Sequence, residues 1–241
     1  SKQKCRERDN NKEKNMDANL DAGKRIFETV SDGGVGIFRT DVGYAIVGQT
    51  APAIERIFTH KNRSYNKPCG CFGSLEMFGE LIDCSELARE FVRVVVVDHG
   101  LPLSIVGRYR ANHPIIANAD PFVVEHGTKG GTIDLLMNAG PIHDEIARRA
   151  LESGRGVFGS SANMSLSGSK YSFESIEPEL RNAVDTAIDG GATLYSNPEG
   201  FGSSIIDLDT FRPFRIGVKF EEICAIAKAE LDIDIPASVT V

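Results

Sequence analysis

The sequence predicts an α/β domain with a twisted, open, mixed sheet flanked by helices. Its 241 residues, 41% of them hydrophobic and 25% charged, are enough to bury the core of a globular domain. Short apolar runs bounded by turn residues are intermixed with segments of helical periodicity. Because strands and helices do not alternate strictly, an α/β or α+β domain with both parallel and antiparallel strand pairs is favoured, and we predict the α/β class.

Apolar spacing and turn residues assign the elements in chain order. The second helix carries the clearest signals, because Thr50 can cap it, Pro52 lies in its first turn, and Ile54, Ile57 and Phe58 recur at helical spacing. Helices are predicted at 20–31, 50–61, 75–82, 141–153, 178–188 and 220–231. Strands are predicted at 36–38, 44–47, 69–72, 93–97, 103–106, 122–124, 132–136, 156–158 and 204–208.

The two ends of the chain differ from its middle. Residues 1–19 interleave basic and acidic side chains with few apolar ones, so we expect a charged, flexible segment. A solvated terminus is favoured over a basic tail that contacts RNA, because the acids largely offset the bases. Residues 20–231 are predicted to form one nucleotide-binding domain, and residues 232–241 a C-terminal tail.

Charge and cysteine content exclude several classes of protein. A net charge of −7 argues against a surface that holds nucleic acid mainly by charge, although a local basic groove is allowed. No window is apolar enough for a membrane span or a signal peptide, so we expect a cytoplasmic protein with no membrane partner. The five cysteines are odd in number and scattered, which favours unligated thiols in a reducing compartment and no metal site.

A cationic loop is the strongest candidate for a binding site. Lys61, Arg63 and Lys67 lie within seven residues, where the second predicted helix ends and before Pro68. One cation at a helix C-terminus can simply complement the helix dipole. Three on a short loop repel one another, and an anion such as a triphosphate relieves that repulsion most easily.

Two polar loops could complete this anion site. Ser160–Asn163 follows a predicted strand, and its hydroxyls and amide can hydrogen-bond a phosphate, a ribose or a base edge, although the same residues are common in ordinary turns. The segment 200–204 is rich in glycine and serine and leads into another strand, so its backbone amides could approach phosphate. No Gly-Lys-Ser/Thr of a Walker loop and no dinucleotide fingerprint is present.

These segments, taken in order, carry a family resemblance from about Leu20 to Leu231. The motifs are Thr-Asp-Val-Gly-Tyr-Ala-Ile at 40–46, Lys-Asn-Arg at 61–63 with Lys-Pro at 67–68, Pro-Leu-Ser at 102–104, Ser-Ala-Asn at 161–163, Ser-Ser-Ile-Ile-Asp-Leu at 203–208 and Phe-Arg-Ile-Gly at 214–217. Their order resembles the YrdC-like family, whose best-known activity is that of L-threonylcarbamoyl-adenylate synthase.

The resemblance implies a concave central cavity, lined with positive charge, that binds ATP together with Mg²⁺. Family members combine threonine and bicarbonate into an N-carboxylated amino acid, which attacks the α-phosphate of ATP and releases pyrophosphate. The product serves tRNA modification, so tRNA or tRNA-modifying proteins are expected partners. Such a transfer needs charge neutralisation on the triphosphate more than it needs a side-chain nucleophile.

The motif positions imply a role for each candidate residue. Lys61 and Arg63 are expected to be the catalytic, phosphate-neutralising residues, and Lys67 can share that task. Ser161 and Asn163 would hold the nucleotide, Ser203 and Arg215 its phosphate side, and Thr40 the amino-acid substrate. Tyr44 is interpreted as a packing residue.

Two departures from the family pattern leave the acceptor open. Val42 stands where the family usually has threonine, and Leu136 stands where it usually has arginine. A hydroxyl and a cation are therefore missing on the amino-acid side. Three hypotheses follow: a synthase acting on threonine or a related amino acid, a non-synthase protein that binds nucleotide or RNA, and a carbamoyl-transfer module of a biosynthetic pathway.

Overall fold

The computed structural model describes the backbone of residues 2–239 and the side chains of residues 13–239. Its strands are β1 (Gly36–Thr40), β2 (Gly43–Gly48), β3 (Gly70–Phe72), β4 (Ile82–Asp83), β5 (Leu103–Tyr109), β6 (Thr128–Lys129), β7 (Thr132–Met137), β8 (Phe158–Ser161), β9 (Thr186–Ala187), β10 (Ile205–Asp207) and β11 (Pro213–Arg215). Its α-helices are α1 (Lys2–Ser31), α2 (Ala51–Lys61), α3 (Leu75–Leu81), α4 (Glu86–Arg93), α5 (Pro114–Ala117), α6 (Pro121–Gly127), α7 (Pro141–Ser153), α8 (Pro178–Asn182) and α9 (Phe220–Leu231).

The strands form one mixed sheet, which confirms the predicted class. The order along the sheet is β11-β10-β5-β7-β3-β8-β2-β1-β9, with β4 paired to β5 and β6 paired to β7. The pairs β3–β7, β5–β10 and β1–β9 are parallel, and the other pairs are antiparallel. Strands distant in sequence therefore meet in the centre of the sheet, and the side chains of β3, β5, β7 and β8 converge there.

Helices α1 and α7 pack on each other and on the sheet. Ile26 and Val30 of α1 are fully buried, as are Ile146 and Ala150 of α7. Gly23 permits this close approach, because a Cβ at that position would lie 2.8 Å from the Cβ of Glu145. The apolar faces of both helices thus close one side of the sheet. Among the described helices, none combines the length and the apolar composition that crossing a bilayer requires.

Two predicted strands are helical, so those predictions were wrong. The valine-rich segment 93–97 continues α4 into a π-helical turn (Val94–Asp98), because Ala88, Phe91, Val92 and Val95 are buried at helical spacing and outweigh the strand preference of valine. The segment 122–124 lies in α6, for which Pro121 in the first turn was the overlooked signal.

The boundaries of three other predicted elements differ as well. Helix α1 begins at Lys2 rather than at 20, so the segment predicted to be flexible is helical from Lys2 onward, and residues 13–18 are exposed along it. The helix predicted at 178–188 ends at Asn182, and Thr186–Ala187 then pairs with β1. The strand predicted at 156–158 starts at its last residue and continues to Ser161.

Gly159 in β8 provides a test of the sheet centre. A Cβ there would overlap the carbonyl oxygen of Ile46 on the neighbouring strand β2, and backbone atoms cannot move aside without breaking the β2–β8 ladder. We expect Gly159→Ala to lower the free energy of unfolding by about 2 kcal/mol or more, in the range of core overpacking. Urea unfolding measures the change.

Gly79 provides the matched control. It lies within α3, and a Cβ at that position meets no atom within 4 Å. We expect Gly79→Ala to stabilise the protein by up to about 1 kcal/mol, because alanine is the better helix former. Equal effects of the two alanines would contradict the crowded sheet centre.

Candidate functional site

A cavity opens over the centre of the sheet. Strands β2, β3, β5, β7 and β8 contribute to its lining, and further residues come from the loops around 63–68, 169 and 202–203 and from the end of β11. Its polar side chains are those of Thr40, Tyr44, Arg63, Cys71, Ser104, Asp134, Ser160, Ser161, Ser169, Ser203 and Arg215. Hydroxyl groups thus surround two arginines and one aspartate. The net positive charge and the hydroxyl donors suit a polyanion.

The alternation of side chains along β7 divides the core from the cavity. Ile133, Leu135 and Met137 are fully buried, whereas Asp134 and Leu136 lie on the opposite face and line the cavity. Strand β7 pairs with β5 on one side and β3 on the other. The carboxylate of Asp134 is therefore held in the middle of the cavity floor.

Arg63 reaches the cavity from the loop that follows α2. Asn62 ends the helix in the left-handed conformation, with φ 50° and ψ 47°, and thereby turns the chain. The guanidinium of Arg63 donates to Ser160 Oγ at 3.0 Å, to the Pro68 carbonyl at 2.8 Å and to the Lys67 carbonyl at 3.1 Å. Burial lowers the pKa of Arg63, but a guanidinium stays protonated at neutral pH. A fixed cation thus faces the cavity.

The two lysines of the cationic loop do not line the cavity. Lys61 is 1% exposed, and its Nζ donates to the carbonyl of Ser161 at 2.5 Å and to the carbonyl of Asn163. It fastens the end of α2 to the loop after β8. Lys67 is exposed to solvent. Of the three predicted cations, the structure brings only Arg63 into the cavity, and Lys61, which was grouped with the cationic loop, is the buried last residue of α2.

The second guanidinium comes from far along the chain. Arg215 at the end of β11 donates through Nε to the Ser203 carbonyl at 2.8 Å and through Nη2 to Ser203 Oγ at 2.9 Å. Ser203 Oγ lies 3.0 Å from Ser104 Oγ on β5, so the predicted Ser203–Arg215 pair is joined by the serine of the Pro-Leu-Ser motif, to which the sequence analysis gave no role in the site. Burial lowers the pKa of Arg215 as well, and the nearby Asp134 carboxylate opposes that shift.

The β1–β2 hairpin supplies the wall with Thr40 and Val42. The Thr40 hydroxyl donates to the Gly43 carbonyl at 2.6 Å and accepts from the Val42 amide at 3.2 Å, so its hydrogen bonds are used within the turn. Tyr44 is buried and donates to the Gly191 carbonyl at 2.7 Å, and burial raises its pKa to about 12. In this structure both side chains shape the wall.

Ser161 and Asn163 lie at different depths. Ser161 ends β8 and lines the cavity. Asn163 is 6% exposed and lies behind the lining, where its Nδ2 donates to the Met164 carbonyl at 2.6 Å and its Oδ1 has no hydrogen-bond partner. The structure therefore places Ser161 in the cavity lining and Asn163 behind it.

The two departures from the family pattern meet in space. Val42 packs with Ala139 and Val218 in a small apolar cluster, and Leu136 packs against it. Both Val42 and Leu136 line the cavity. The hydroxyl and the cation expected from the resemblance are thus replaced by one continuous apolar surface on the same side of the cavity.

Asp134 is the functional candidate that the sequence reading missed. Burial raises its pKa, while Arg215, the Ser104 hydroxyl and Arg63 act in the opposite direction. The available signal was a carboxylate at a cavity-facing position of an otherwise apolar strand. Among the described residues, no group of three or more His, Cys, Asp or Glu side chains could hold a metal ion.

The family model named Sua5/YciO/YrdC, described as telomere recombination, matches residues 28–217. Because the match covers well over half of the chain, this protein belongs to that family. The search of curated proteins finds no significant match.

Solved structures share the fold. A hypothetical protein from Streptococcus mutans is similar at 22% identity and a TM-score of 0.70, with 88% of this chain and 92% of that chain covered. E. coli YciO is similar at 21% identity and a TM-score of 0.63, with 83% and 90% covered. P. abyssi Sua5, solved with L-threonine, is similar at 22% identity and a TM-score of 0.66, with 87% of this chain covered. This chain spans only 57% of that Sua5 chain.

The buried Lys61 predicts a pH dependence of stability. Burial, assisted by the charge of Arg63, lowers its pKa from 10.5 to about 7. In the unfolded chain the lysine keeps its ordinary pKa, so between pH 7 and about 10 the unfolded state binds a proton that the folded state has released. The contribution of Lys61 to the free energy of unfolding should therefore increase with pH, by at most about 1.4 kcal/mol per pH unit.

Urea unfolding of the wild type and of Lys61→Met at pH 6.5, 7.5 and 8.5 measures this contribution. Methionine keeps the apolar stem and cannot titrate. The free energy of unfolding of the wild type minus that of Lys61→Met should increase as the pH rises. A difference that is constant or falls with pH would contradict the lowered pKa.

Proposed function

We propose that the cavity binds ATP and that the protein forms a carbamoyl-adenylate on an amino acid. The observation that carries the proposal is the pair of half-buried arginines, Arg63 and Arg215, in one hydroxyl-lined cavity of a Sua5/YciO/YrdC family member. Arg63 uses three of its N–H donors on the protein and Arg215 uses two, of the five that each guanidinium has. The remaining donors are available to phosphate oxygens.

The chemistry asks for charge neutralisation and positioning. A carbamate oxygen of the N-carboxylated amino acid would attack the α-phosphorus, a P–O bond to the leaving pyrophosphate would break, and the carbamoyl-adenylate would remain. Negative charge accumulates on the phosphate oxygens as the bond breaks, and fixed cations in a partly dry cavity stabilise it. Arg63 and Arg215 would perform this task, with Ser161 and Ser203 as hydroxyl partners of the nucleotide.

For Lys61 we propose a positioning role in place of the catalytic role implied by the resemblance. Its Nζ donates to the Ser161 and Asn163 carbonyls, and thereby positions the hydroxyl of Ser161 at the cavity edge. With these hydrogen bonds in place, we assign Lys61 the role of positioning Ser161. Direct contact with phosphate would require its side chain to leave the two backbone carbonyls when ATP binds. Lys67 is exposed on the same loop, and we propose that it attracts the triphosphate at long range.

Mg²⁺ would enter with the nucleotide. The residues described here do not form a cage for a metal ion, and Mg²⁺ commonly takes most of its ligands from substrate phosphates and water. We therefore assign its binding chiefly to the triphosphate, where it would neutralise charge alongside the two guanidiniums.

Threonine is the first amino acid to test, because P. abyssi Sua5 has been solved with L-threonine. The apolar surface formed by Val42 and Leu136 favours a second candidate, a protein that binds nucleotide or RNA without synthase activity. Delivery of the product to tRNA, or to a tRNA-modifying protein, belongs to the first candidate only.

Pyrophosphate release separates the two candidates. Incubation with ATP, Mg²⁺, bicarbonate and each amino acid in turn should release pyrophosphate with threonine or a related amino acid, and should release none without bicarbonate. ATP binding with no release for every amino acid would support the second candidate. A protein that neither binds ATP nor releases pyrophosphate would overturn the first candidate and the nucleotide-binding form of the second.

The two arginines predict the effect of substitution on ATP affinity. We expect Arg63→Ala and Arg215→Ala each to weaken ATP binding at least about tenfold, because each removes charge-assisted hydrogen bonds worth about 1.5–3 kcal/mol. Isothermal titration calorimetry measures the dissociation constants, and thermal melting checks that each variant is folded.

Arg108→Ala is the matched control. Its side chain is 62% exposed, lies outside the cavity and pairs with Asp209 at 3.5 Å. It removes the same charge, so it should change ATP affinity by less than about twofold at physiological salt, where distant surface charges are screened. An equal loss in all three variants would show that only net charge matters.

A further inference from the structure

A small space beside Gly202, which we call the Gly202 gap, opens into the cavity. Apart from neighbours in the chain, the three atoms nearest to the position that a Cβ of Gly202 would take are all polar. They are the Val42 carbonyl oxygen at 3.5 Å, Ser169 Oγ at 3.6 Å and Arg215 Nη2 at 3.7 Å. All four residues line the cavity, so a small molecule in the cavity has access to the gap.

The three polar groups around the gap have unused hydrogen-bonding capacity. No hydrogen bond from a described residue reaches the Val42 carbonyl, and the Ser169 hydroxyl has no hydrogen-bond partner among the described residues. Arg215 donates to Ser203 through Nε and Nη2, which leaves three of the five N–H donors of a guanidinium. The Gly202 gap therefore presents one acceptor, one hydroxyl and one cationic donor.

Backbone hydrogen bonds hold Ser169 at the gap from both sides. Its amide donates to the Gly200 carbonyl at 2.7 Å, and the carbonyl of the next residue, Lys170, accepts from the Tyr44 amide at 2.8 Å. Gly168 allows the two loops to approach, because its φ is +79° and a Cβ there would lie 3.4 Å from the Gly200 carbonyl oxygen. The hydroxyl is thus positioned before a ligand binds, which lowers the entropy lost on binding.

These three groups select a small anion that also carries a hydrogen-bond donor. A charged oxygen suits the N–H of Arg215 and the hydroxyl of Ser169. The Val42 carbonyl repels a charged oxygen and requires an O–H or N–H instead. A fully ionised phosphate group has no such donor. Bicarbonate has the required pattern, because one of its oxygens carries a proton and the other two share the negative charge.

We propose that the Gly202 gap is the bicarbonate site of the cavity. The bicarbonate O–H donates to the Val42 carbonyl, and its two charged oxygens accept from Arg215 and Ser169. The proposal rests on the function proposed above, which consumes bicarbonate, and it names the residues that hold this substrate. The N–H donors of Arg215 are then divided between bicarbonate and the nucleotide phosphates, so the two reactants lie next to each other.

Amide chemical shifts in two-dimensional NMR test the site by binding alone. Potassium bicarbonate and potassium nitrate are titrated at equal pH and ionic strength into the wild type, with and without Mg²⁺ and a non-hydrolysable ATP analogue. Nitrate is a planar anion of similar size that lacks the O–H. Bicarbonate should cause saturable shifts at Ser169 and Gly202 and should bind at least about threefold more tightly than nitrate, as expected for one additional hydrogen bond.

Two results of the titration would overturn the proposal. One is the absence of a saturable bicarbonate shift at these two amides, both with and without the nucleotide. The other is an equal affinity for bicarbonate and nitrate, because the Val42 carbonyl would then have no part in recognition.

Gly202→Ala closes the gap without straining the fold. The φ of Gly202 is not in the left-handed region, and the new Cβ would meet its neighbours at 3.5 Å or more, which is ordinary contact. In pyrophosphate-release assays we expect the KM for bicarbonate to rise at least about tenfold, because the methyl group keeps the anion from its charge-assisted hydrogen bond with Arg215. The KM for ATP should stay near that of the wild type. Ser169→Ala should raise the KM for bicarbonate about threefold, through the loss of one hydrogen bond.

Gly79→Ala and Ser172→Ala are the matched controls, because neither residue lines the cavity. Both should leave the KM values for bicarbonate and ATP unchanged, and thermal melting checks that all four variants are folded. An unchanged KM for bicarbonate in Gly202→Ala would contradict the proposal. An equal rise in the KM values for ATP and bicarbonate would assign the gap to the nucleotide, and would overturn it as well.

Failure of the proposed function has a different signature. It would appear as a wild type that does not bind ATP or does not release pyrophosphate, whatever the NMR titration shows. A wild type that releases pyrophosphate in a bicarbonate-dependent manner, but shows no bicarbonate shift at Ser169 and Gly202, would overturn the assignment of the Gly202 gap alone.

Discussion

An excess of positive charge inside the cavity is the constraint on which the functional account depends. Of the charged side chains that the described residues bring to the lining, Arg63 and Arg215 are cations and Asp134 is the carboxylate. Burial disfavours the charged form of both arginines and lowers their pKa. Buried charges persist where hydrogen bonds and counter-charges compensate them. Serine hydroxyls and backbone carbonyls supply part of that compensation, and a bound polyanion would supply the rest.

The fold assembles this charge from distant parts of the chain. Arg63 follows helix α2, and Arg215 ends the last strand, β11. Asp134 lies on β7, in the middle of the sheet. Lys61 connects the end of α2 to the loop after β8, because its Nζ donates to two backbone carbonyls there. The geometry of the cavity therefore depends on the whole sheet, and substitutions at the sheet centre should alter the positions of the lining residues.

The side of the cavity lined by Val42 and Leu136 differs in chemistry from the side with the two arginines. Val42 and Leu136 are separate departures in the sequence, but they form one apolar surface in space. Asp134 lies beside that surface on the same strand. The cation expected from the resemblance is absent at Leu136, and the carboxylate of Asp134 lies two residues away on the same face of β7. The side of the cavity with the two arginines and the apolar side can thus have diverged from the family to different degrees.

Much of the fold could be predicted from the sequence, because apolar periodicity and caps such as Thr50 act locally. The valine run at 93–97 could not, since its burial at helical spacing depends on tertiary contacts that override strand propensity. Of the three cations predicted to form the site, the structure places Arg63 in the cavity lining. Whether Lys61 and Lys67 face the cavity depends on where β8 lies, which no local pattern reveals. Asp134 was hidden for the same reason.

A crystal structure with a non-hydrolysable ATP analogue and Mg²⁺ tests the central claim most directly. The account predicts that phosphate oxygens lie within hydrogen-bond distance of the guanidiniums of both Arg63 and Arg215. An analogue bound elsewhere, or bound in the cavity with its phosphates away from both arginines, would contradict it.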